Sequence, residues 1–252
     1  MPRYKLVIEY DGRPFVGWQR QENGPSVQQA VEQAGAALSG AASPTQAAGR
    51  TDAGVHARAM TAHIDLGKHL TAEKVRDALN FHLKPAPIAI LAAAEVSDEF
   101  HARFSCTGRS YEYRMINRRA PLTLEQGLAW RISGKLDHEA MHDAAQILVG
   151  KHDFSSFRAS ACQSNSSVKT LSSIGVARDG DLVTISCAAL SFLHHQVRFM
   201  TGSLVEVGLG KWSANDLREV LEARDCTKAG QVAPAGGLYF MGASYPDGAA
   251  TI

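Results

Sequence analysis

The chain is predicted to be an α+β protein of two halves of similar size, each mixing strands with helices. Three observations carry that expectation: a period-two strand pattern at the amino terminus, an amphipathic helix bounded by its own start and stop signals, and a second run of strands and helices from Arg109 onward. Residues 3–10 set Tyr4, Leu6, Ile8 and Tyr10 against Lys5, Val7 and Glu9, the alternation of a half-buried strand. From Val27 the apolar positions Ala30, Val31, Ala34, Ala37 and Leu38 recur at helical spacing, with Ser26 in the N-cap place and Gly40 where the helix must stop. A strand is expected over 58–65, a helix over 71–83 stopped by Pro85, and a strand over 88–96. The second half then predicts a strand over 109–117, a helix over 137–149 closed by Gly150, and strands over 171–177 and 182–189. A helix from His194 into Leu209 follows, then a short one from Ser213 to about Glu222 with Asp216 at the capping-box position. A last strand covers 237–243. No Pro- or Ser-rich linker separates the halves, and the expected domains are 1–102 and 103–252.

Composition narrows the function classes. With 45% hydrophobic and 20% charged residues over 252 positions, the chain reads as an ordinary globular protein with length enough for a real core. The basic amino terminus is followed by no apolar run, so no signal peptide is expected. No stretch of about 18 apolar residues predicts a membrane span. Cys106, Cys162, Cys187 and Cys226 form no C-x-x-C pair, which argues against zinc ribbons and redox motifs, and a reduced cytoplasmic protein is the simplest expectation. The net charge of +1 is uninformative, but its distribution is not. Between His101 and Arg119 five arginines (Arg103, Arg109, Arg114, Arg118, Arg119) face one acid, Glu112, with Phe104, Tyr111 and Tyr113 interleaved. Arginine with aromatics suits phosphates and stacked bases, although a solvated strand and turn would show the same residues.

The main candidate for chemistry is Gly49-Arg-Thr-Asp-Ala-Gly-Val-His-Ala57. It places one carboxylate, Asp52, between two glycines, beside Arg50 and near His56, in a stretch too broken for a helix and too polar for core. Such an aspartate could cap its own loop, bind a metal, or act as nucleophile or base. A metal would recruit His56, His63, His194 and His195, but no H-x-x-x-H or H-E-x-x-H pair is present and adjacent histidines diverge on a helix. His138 and His142 are expected on the solvent side of a helix whose Ala140, Met141, Ala144 and Leu148 face inward. In the helix through Val197, Met200, Leu204 and Val205, Arg198 lies beside the apolar stripe, where a half-buried guanidinium needs an anionic partner. Asp52 is one candidate. Along 109–115, Arg109, Tyr111, Tyr113 and Met115 share a strand face, a pattern that packing alone can produce.

Taken together, these segments resemble the tRNA pseudouridine synthases of the TruA type. The likeness runs from Tyr10-Asp-Gly and Phe15-Val-Gly-Trp-Gln-Arg-Gln through the nine residues at 49–57, Ala102-Arg-Phe and Arg109-Ser-Tyr-Glu-Tyr. It continues through Gly150-Lys-His-Asp-Phe and Phe192-Leu-His-His-Gln-Val-Arg to Ala233-Pro-Ala-Gly-Gly-Leu-Tyr. Two departures are mild: the family usually has methionine where Gln196 stands, and the segment after Tyr239 is short. The resemblance implies two α/β domains, each around an antiparallel sheet, joined into one long sheet with a basic central cleft. It implies conversion of uridine to pseudouridine at tRNA positions 38, 39 and 40 in the anticodon stem-loop, by a homodimer without cofactor or metal. By the same likeness Asp52 is the nucleophile, Tyr111 the substrate-contacting tyrosine, Arg198 the arginine that pairs with the aspartate, and Arg50 the residue that displaces the target base. Arg103, Arg119 and the polar loop Ala161-Cys-Gln163-Ser match regions that touch tRNA.

Elementary chemistry asks for these residue types independently. The reaction breaks N1–C1′, turns the uracil and joins C5 to C1′, so uracil is both leaving group and incoming nucleophile and no redox agent is needed. An ionised carboxylate suits attack or stabilisation of a developing ribosyl cation. The base must first leave its stack, at a few kcal/mol. A non-catalytic RNA-binding module with Asp52 only shaping a loop, and a metallohydrolase, are the competing expectations.

Overall fold

The computed structural model describes residues 1–160 and 162–246. In chain order these fold as β1 (Arg3–Tyr10), α1 (Val27–Ser39), β2 (Thr45–Ala47), β3 (His56–Asp65), α2 (Ala72–His82), β4 (Ile88–Val96), β5 (Gly108–Asn117), β6 (Trp130–Ile132), α3 (His138–Ala145), β7 (Gly150–Asp153), β8 (Val168–Asp179), β9 (Leu182–Ala189), α4 (Gln196–Gly208), α5 (Ala214–Ala223) and β10 (Leu238–Ser244). The chain groups into two compact units, Met1–Arg109 with the chain from Tyr239 onward, and Ser110–Leu238. This grouping differs from a single cut after residue 102, because β10 returns to pair with β3 at Tyr239↔His56 and Phe240↔Ala57.

In the first unit the strands run in the order β4-β1-β3-β10. β1 is antiparallel to β3, with Tyr4 opposite Ile64 and Leu6 opposite Ala62, and antiparallel to β4 on its other side. β2 pairs antiparallel with β3 at Thr45–Ala47, beyond the two residues that β10 occupies. The alternation read from the sequence is real: Tyr4, Leu6 and Ile8 are fully buried. α1 lies over this layer. Ser26 Oγ accepts the Gln29 amide, Gly40 closes the helix, and Val27, Val31 and Ala34 are its buried stripe. α2 starts on Thr71, whose hydroxyl accepts the Lys74 amide.

The second unit orders its strands β5-β9-β8-β7, with β8 antiparallel to both β9 and β7. The pairings described within each unit are antiparallel, as expected, apart from two: β10 runs parallel to β3, and β6 runs parallel to β5 from Met115↔Trp130 to Asn117↔Ile132. The helix expected over 137–149 ends at Ala145 and tightens into a 3-10 turn at Gln146–Leu148, and Gly150 opens β7 rather than only closing the helix. His142 is exposed on the solvent side of α3, as expected, and also serves the sheet. Its Nδ1 accepts the Val176 amide at 3.1 Å while Gln146 Nε2 donates to the Ile174 carbonyl at 3.1 Å. β7 pairs with β8 only as far as Leu171, so these two side chains, one from α3 and one from the turn after it, satisfy the edge that β7 leaves open, which blunts it against pairing with another chain. The core of this unit holds Tyr113, Met115, Met141, Phe154, Phe157, Ile185, Met200 and Leu204.

Candidate active site

In the first unit, the loop carrying Asp52 is fixed by main chain. Asp52 forms an isolated antiparallel bridge with Gly17, the Trp18 amide donates to the Thr51 carbonyl at 3.1 Å, and the Val55 amide donates to the Asp52 carbonyl at 3.1 Å. Thr51 is held a second time, its hydroxyl 2.8 Å from that of Tyr10. The close approach depends on Gly17, which has φ +112 and no room for a side chain: a Cβ there would stand 2.4 Å from the Thr51 carbonyl oxygen. Only glycine takes such a backbone without strain. The loop thus holds its backbone rigid while Asp52 is partly exposed and Arg50, two residues earlier, is exposed.

The loop's flank is equally well tied. His56 is 2% exposed, accepts the Gly12 amide on Nδ1 at 3.1 Å and stacks on Tyr239 at 4.8 Å. His63 is 3% exposed and accepts the Ala102 amide on Nδ1 at 3.1 Å. Burial, with Arg3 and His101 nearby, pushes the His63 pKa down to about 4. Two histidines that the metal reading would recruit therefore hold backbone. Arg103 is exposed on a turn next to Phe104.

In the second unit, Arg198 sits in the first turn of α4, half-buried as expected, and its Nε donates to the Ala233 carbonyl at 2.7 Å. The Ala233 amide answers by donating to the Arg198 carbonyl. Tyr113, fully buried, donates to the next carbonyl, Pro234, at 2.7 Å. Burial drives the Tyr113 hydroxyl far above the ordinary tyrosine range, with Arg198 pulling weakly the other way, so it remains a donor. The segment 230–234 is thus a strap laid across the start of α4. It lies so close that a Cβ on Gly202 would stand 1.8 Å from the Gln231 carbonyl oxygen. Ala233 and Pro234 open a segment that carries the resemblance, but nothing local marks it as a strap, since that role depends on a helix some thirty residues away.

Tyr111 is 8% exposed, with its ring edge-on to Phe192 at 5.1 Å and 85°. His194 and His195 do not diverge on a helix. They precede α4, their rings 4.1 Å apart, because His195 takes a left-handed backbone at φ 63, a conformation that strains a non-glycine residue. Arg119 is exposed, and its carbonyl accepts from Arg131 at 2.7 Å. Gln163 is exposed in a turn clasped by Arg158, which donates to the Cys162 and Ser164 carbonyls at 2.7 and 2.9 Å. Ala161 of the same polar loop lies outside the described residues. Structure thus groups Arg50, Asp52 and Arg103 in the first unit and Tyr111, Arg119, Gln163 and Arg198 in the second.

Among the described residues no helix is long and apolar enough to cross a membrane. The sequence model of a family described as tRNA pseudouridine synthase matches residues 6–105 and 144–246. The chain is 60% identical over 246 residues to tRNA pseudouridine synthase A of Maricaulis maris, spanning 98% of this chain and 99% of that protein. It is 60% identical over 245 residues to the protein of that name from Rhodospirillum centenum, spanning 97% and 100%. With that of Rhizorhabdus wittichii the identity is 56% over 246 residues, spanning 98% and 97%.

Proposed function

The chain belongs to the tRNA pseudouridine synthase family, and from that premise we infer that it isomerises uridine to pseudouridine in tRNA, at positions 38, 39 and 40 of the anticodon stem-loop. The observation that carries the chemical part of this reading is the Asp52 loop: a carboxylate on a backbone locked against Gly17, with an exposed arginine two residues before it. A loop that needed only to cap itself would not require a second segment to clamp it from across the unit.

Each side chain takes a role that its setting supports. Arg50 carries a planar cation free to enter the stack vacated by the target base, the step that exposes the base to attack. Asp52 supplies the charge that meets the ribosyl carbon or the ring as N1–C1′ breaks. Arg198, its guanidinium aimed by the strap carbonyl of Ala233, is the counter-charge for that carboxylate. Tyr111 is packed edge-on against Phe192, which holds its ring where a bound uracil would rest. The uracil then turns, C5 bonds to C1′, the C5 proton leaves and N1 takes up a proton, which completes a redox-neutral rearrangement in which no atom is gained or lost overall. Arg103, Arg119 and Gln163, all exposed, are assigned to the RNA around the target. Shape and phosphate contacts then dominate recognition of the stem, which suits an enzyme accepting neighbouring uridines. The reading includes a cytoplasmic homodimer that works without cofactor or metal.

The test is to incubate the protein with an unmodified tRNA transcript and map pseudouridine at nucleotide resolution. Pseudouridine at 38, 39 or 40 is expected; its appearance elsewhere would remove the positional assignment, and none at all would remove the activity. Sedimentation of the purified chain decides the dimer.

A further inference from the structure

Phe104 is 78% exposed, whereas Phe100, Phe154, Phe157 and Phe240 are buried. Leaving a whole aromatic ring in water forgoes the burial that normally places phenylalanine inside. The ring is nevertheless held firmly. The turn 101–105 is built around His101, whose Nδ1 accepts the amides of both Arg103 and Phe104 at 3.1 and 3.2 Å. Ser105 closes it, its hydroxyl accepting the His101 amide and its own amide donating to the His101 carbonyl. The His101 ring lies 4.3 Å from that of Phe104 at 33°, and on its other side meets buried His63 at 4.8 Å. Burial and the nearby Arg3 and Arg103 hold His101 below the usual histidine pKa, which keeps Nδ1 an acceptor at neutral pH. One flank of the exposed ring carries a cation, the Arg103 guanidinium carbon being 5.7 Å from its centroid.

This turn is also tied to the loop that carries Asp52. Arg109 donates through Nε to the Ala48 carbonyl at 2.8 Å and through Nη2 to the Arg103 carbonyl at 3.1 Å. Ala48 lies two residues before Arg50, so one guanidinium bridges the aromatic turn and the root of the candidate catalytic loop within the same unit. Resting on the reading of this protein as a tRNA-modifying enzyme, we propose that Phe104 is a stacking platform for an unpaired base of the RNA loop next to the target, with Arg103 meeting the adjoining phosphate. A rigid ring with one face on an imidazole and an arginine at its edge matches how single-stranded bases are held: stacking tolerates any base, and the cation takes the backbone. Arg109 is the positioning residue that sets the platform's distance from Asp52.

The experiment compares Phe104→Ala, Phe104→Leu and Phe104→Trp with the wild-type chain on an unmodified tRNA transcript, and on the same tRNA carrying 2-aminopurine in its anticodon loop. The wild type comes first: if it forms no pseudouridine, the functional reading fails before Phe104 is tested. Given an active wild type, Phe104→Ala is expected to weaken tRNA binding roughly 5- to 150-fold, the range of losing one stacked base, with the loss falling on KM rather than on kcat. Phe104→Trp should restore binding and Phe104→Leu should not, and 2-aminopurine fluorescence should be quenched by Phe and Trp but not by Ala. Wild-type binding by Phe104→Ala, full rescue by leucine, or a loss confined to kcat would each overturn the platform. A change in sedimenting mass for Phe104→Ala would overturn it too, by showing that the ring meets a second copy of the chain instead of RNA.

Discussion

The loop around Asp52 and the start of α4 carry the two opposite charges on which the proposed chemistry rests, and they are held by different means. The loop is fixed by backbone hydrogen bonds and by a glycine at Gly17 whose φ of +112 no side chain tolerates well. The start of α4 is fixed by a strap, with Arg198 and Tyr113 each bonded to a strap carbonyl and Gly202 pressed against Gln231. A loop has no helical or ladder bonds of its own, so its stiffness must come from a clamp on its main chain. A helix already has its backbone satisfied, so what remains to be fixed is the direction of a long side chain, and the strap does that through carbonyl acceptors. The proposed nucleophile is thus positioned by its backbone and the proposed counter-charge by its head group.

The sharpest way to separate the loop's chemistry from its framework is Asp52→Asn, which keeps size and loop geometry while removing the charge. It is expected to cut pseudouridine formation on the order of 10⁴-fold or more, as loss of a nucleophile does, with tRNA binding retained in a filter assay. Retained turnover would strip Asp52 of its role. Next in size is Tyr111→Phe on the other side of the comparison: a loss of roughly 10²- to 10⁴-fold in kcat is expected if its hydroxyl takes the C5 proton. Near-normal turnover would show that the hydroxyl only packs.

The two clamps are broken by adding one carbon to each. Gly17→Ala and Gly202→Ala should each destabilise the protein by about 1–3 kcal/mol, the first through a strained backbone and the second through overpacking. Thermal melts give the stability and single-turnover rates show whether each clamp reaches the chemistry. Two melting points equal to that of the wild type would mean that neither clamp bears on the fold.

A smaller effect comes from pH. His63 titrates near 4 in the folded chain against about 6.5 when unfolded, so the unfolded state binds the extra proton in between. Its contribution is whole above about pH 6.5 and lost as pH falls toward 4, on the order of 1–3 kcal/mol. His63→Asn, which can still accept the Ala102 amide, should flatten the melting curve over that window, and an unchanged pH dependence would assign it to other groups. The smallest expected effect is none: exhaustive chelation should leave turnover where it was. Activity lost to chelator and restored only by zinc would return the histidines to the argument as ligands.

Much of the frame was legible because it is local. Ser26 and Ser213 cap the helices that their positions predict, and Ser213 with Asp216 forms the reciprocal capping box. The alternation along β1 and β5 names most of the residues that are buried, with Lys5 and Ile116 buried against it. The short strands β2, β6 and β7 were not legible, for three or four residues cannot display a period. The two histidines before α4 fall outside the helix because helical spacing extends the expectation two residues too far, and the left-handed backbone at His195 is what ends it. His142 lies on the exposed face that the helix pattern predicts, and only its acceptor role is hidden from the sequence, being created by an edge of β8 far along the chain.

By itself the sequence determined the kind of elements, the loop that bears Asp52 and, through the arrangement of its motifs, the family. These depend on near neighbours: side-chain period, caps, and glycines at fixed offsets. Tertiary structure alone decided that Gly17 clamps the Asp52 loop, that the strap at 230–234 aims Arg198, that His56 and His63 serve backbone amides, and that Phe104 stands in water on a pinned turn. All but the last are contacts between segments separated along the chain. A hydrogen bond or a close approach is fixed by where two segments meet in space, and no local pattern records that.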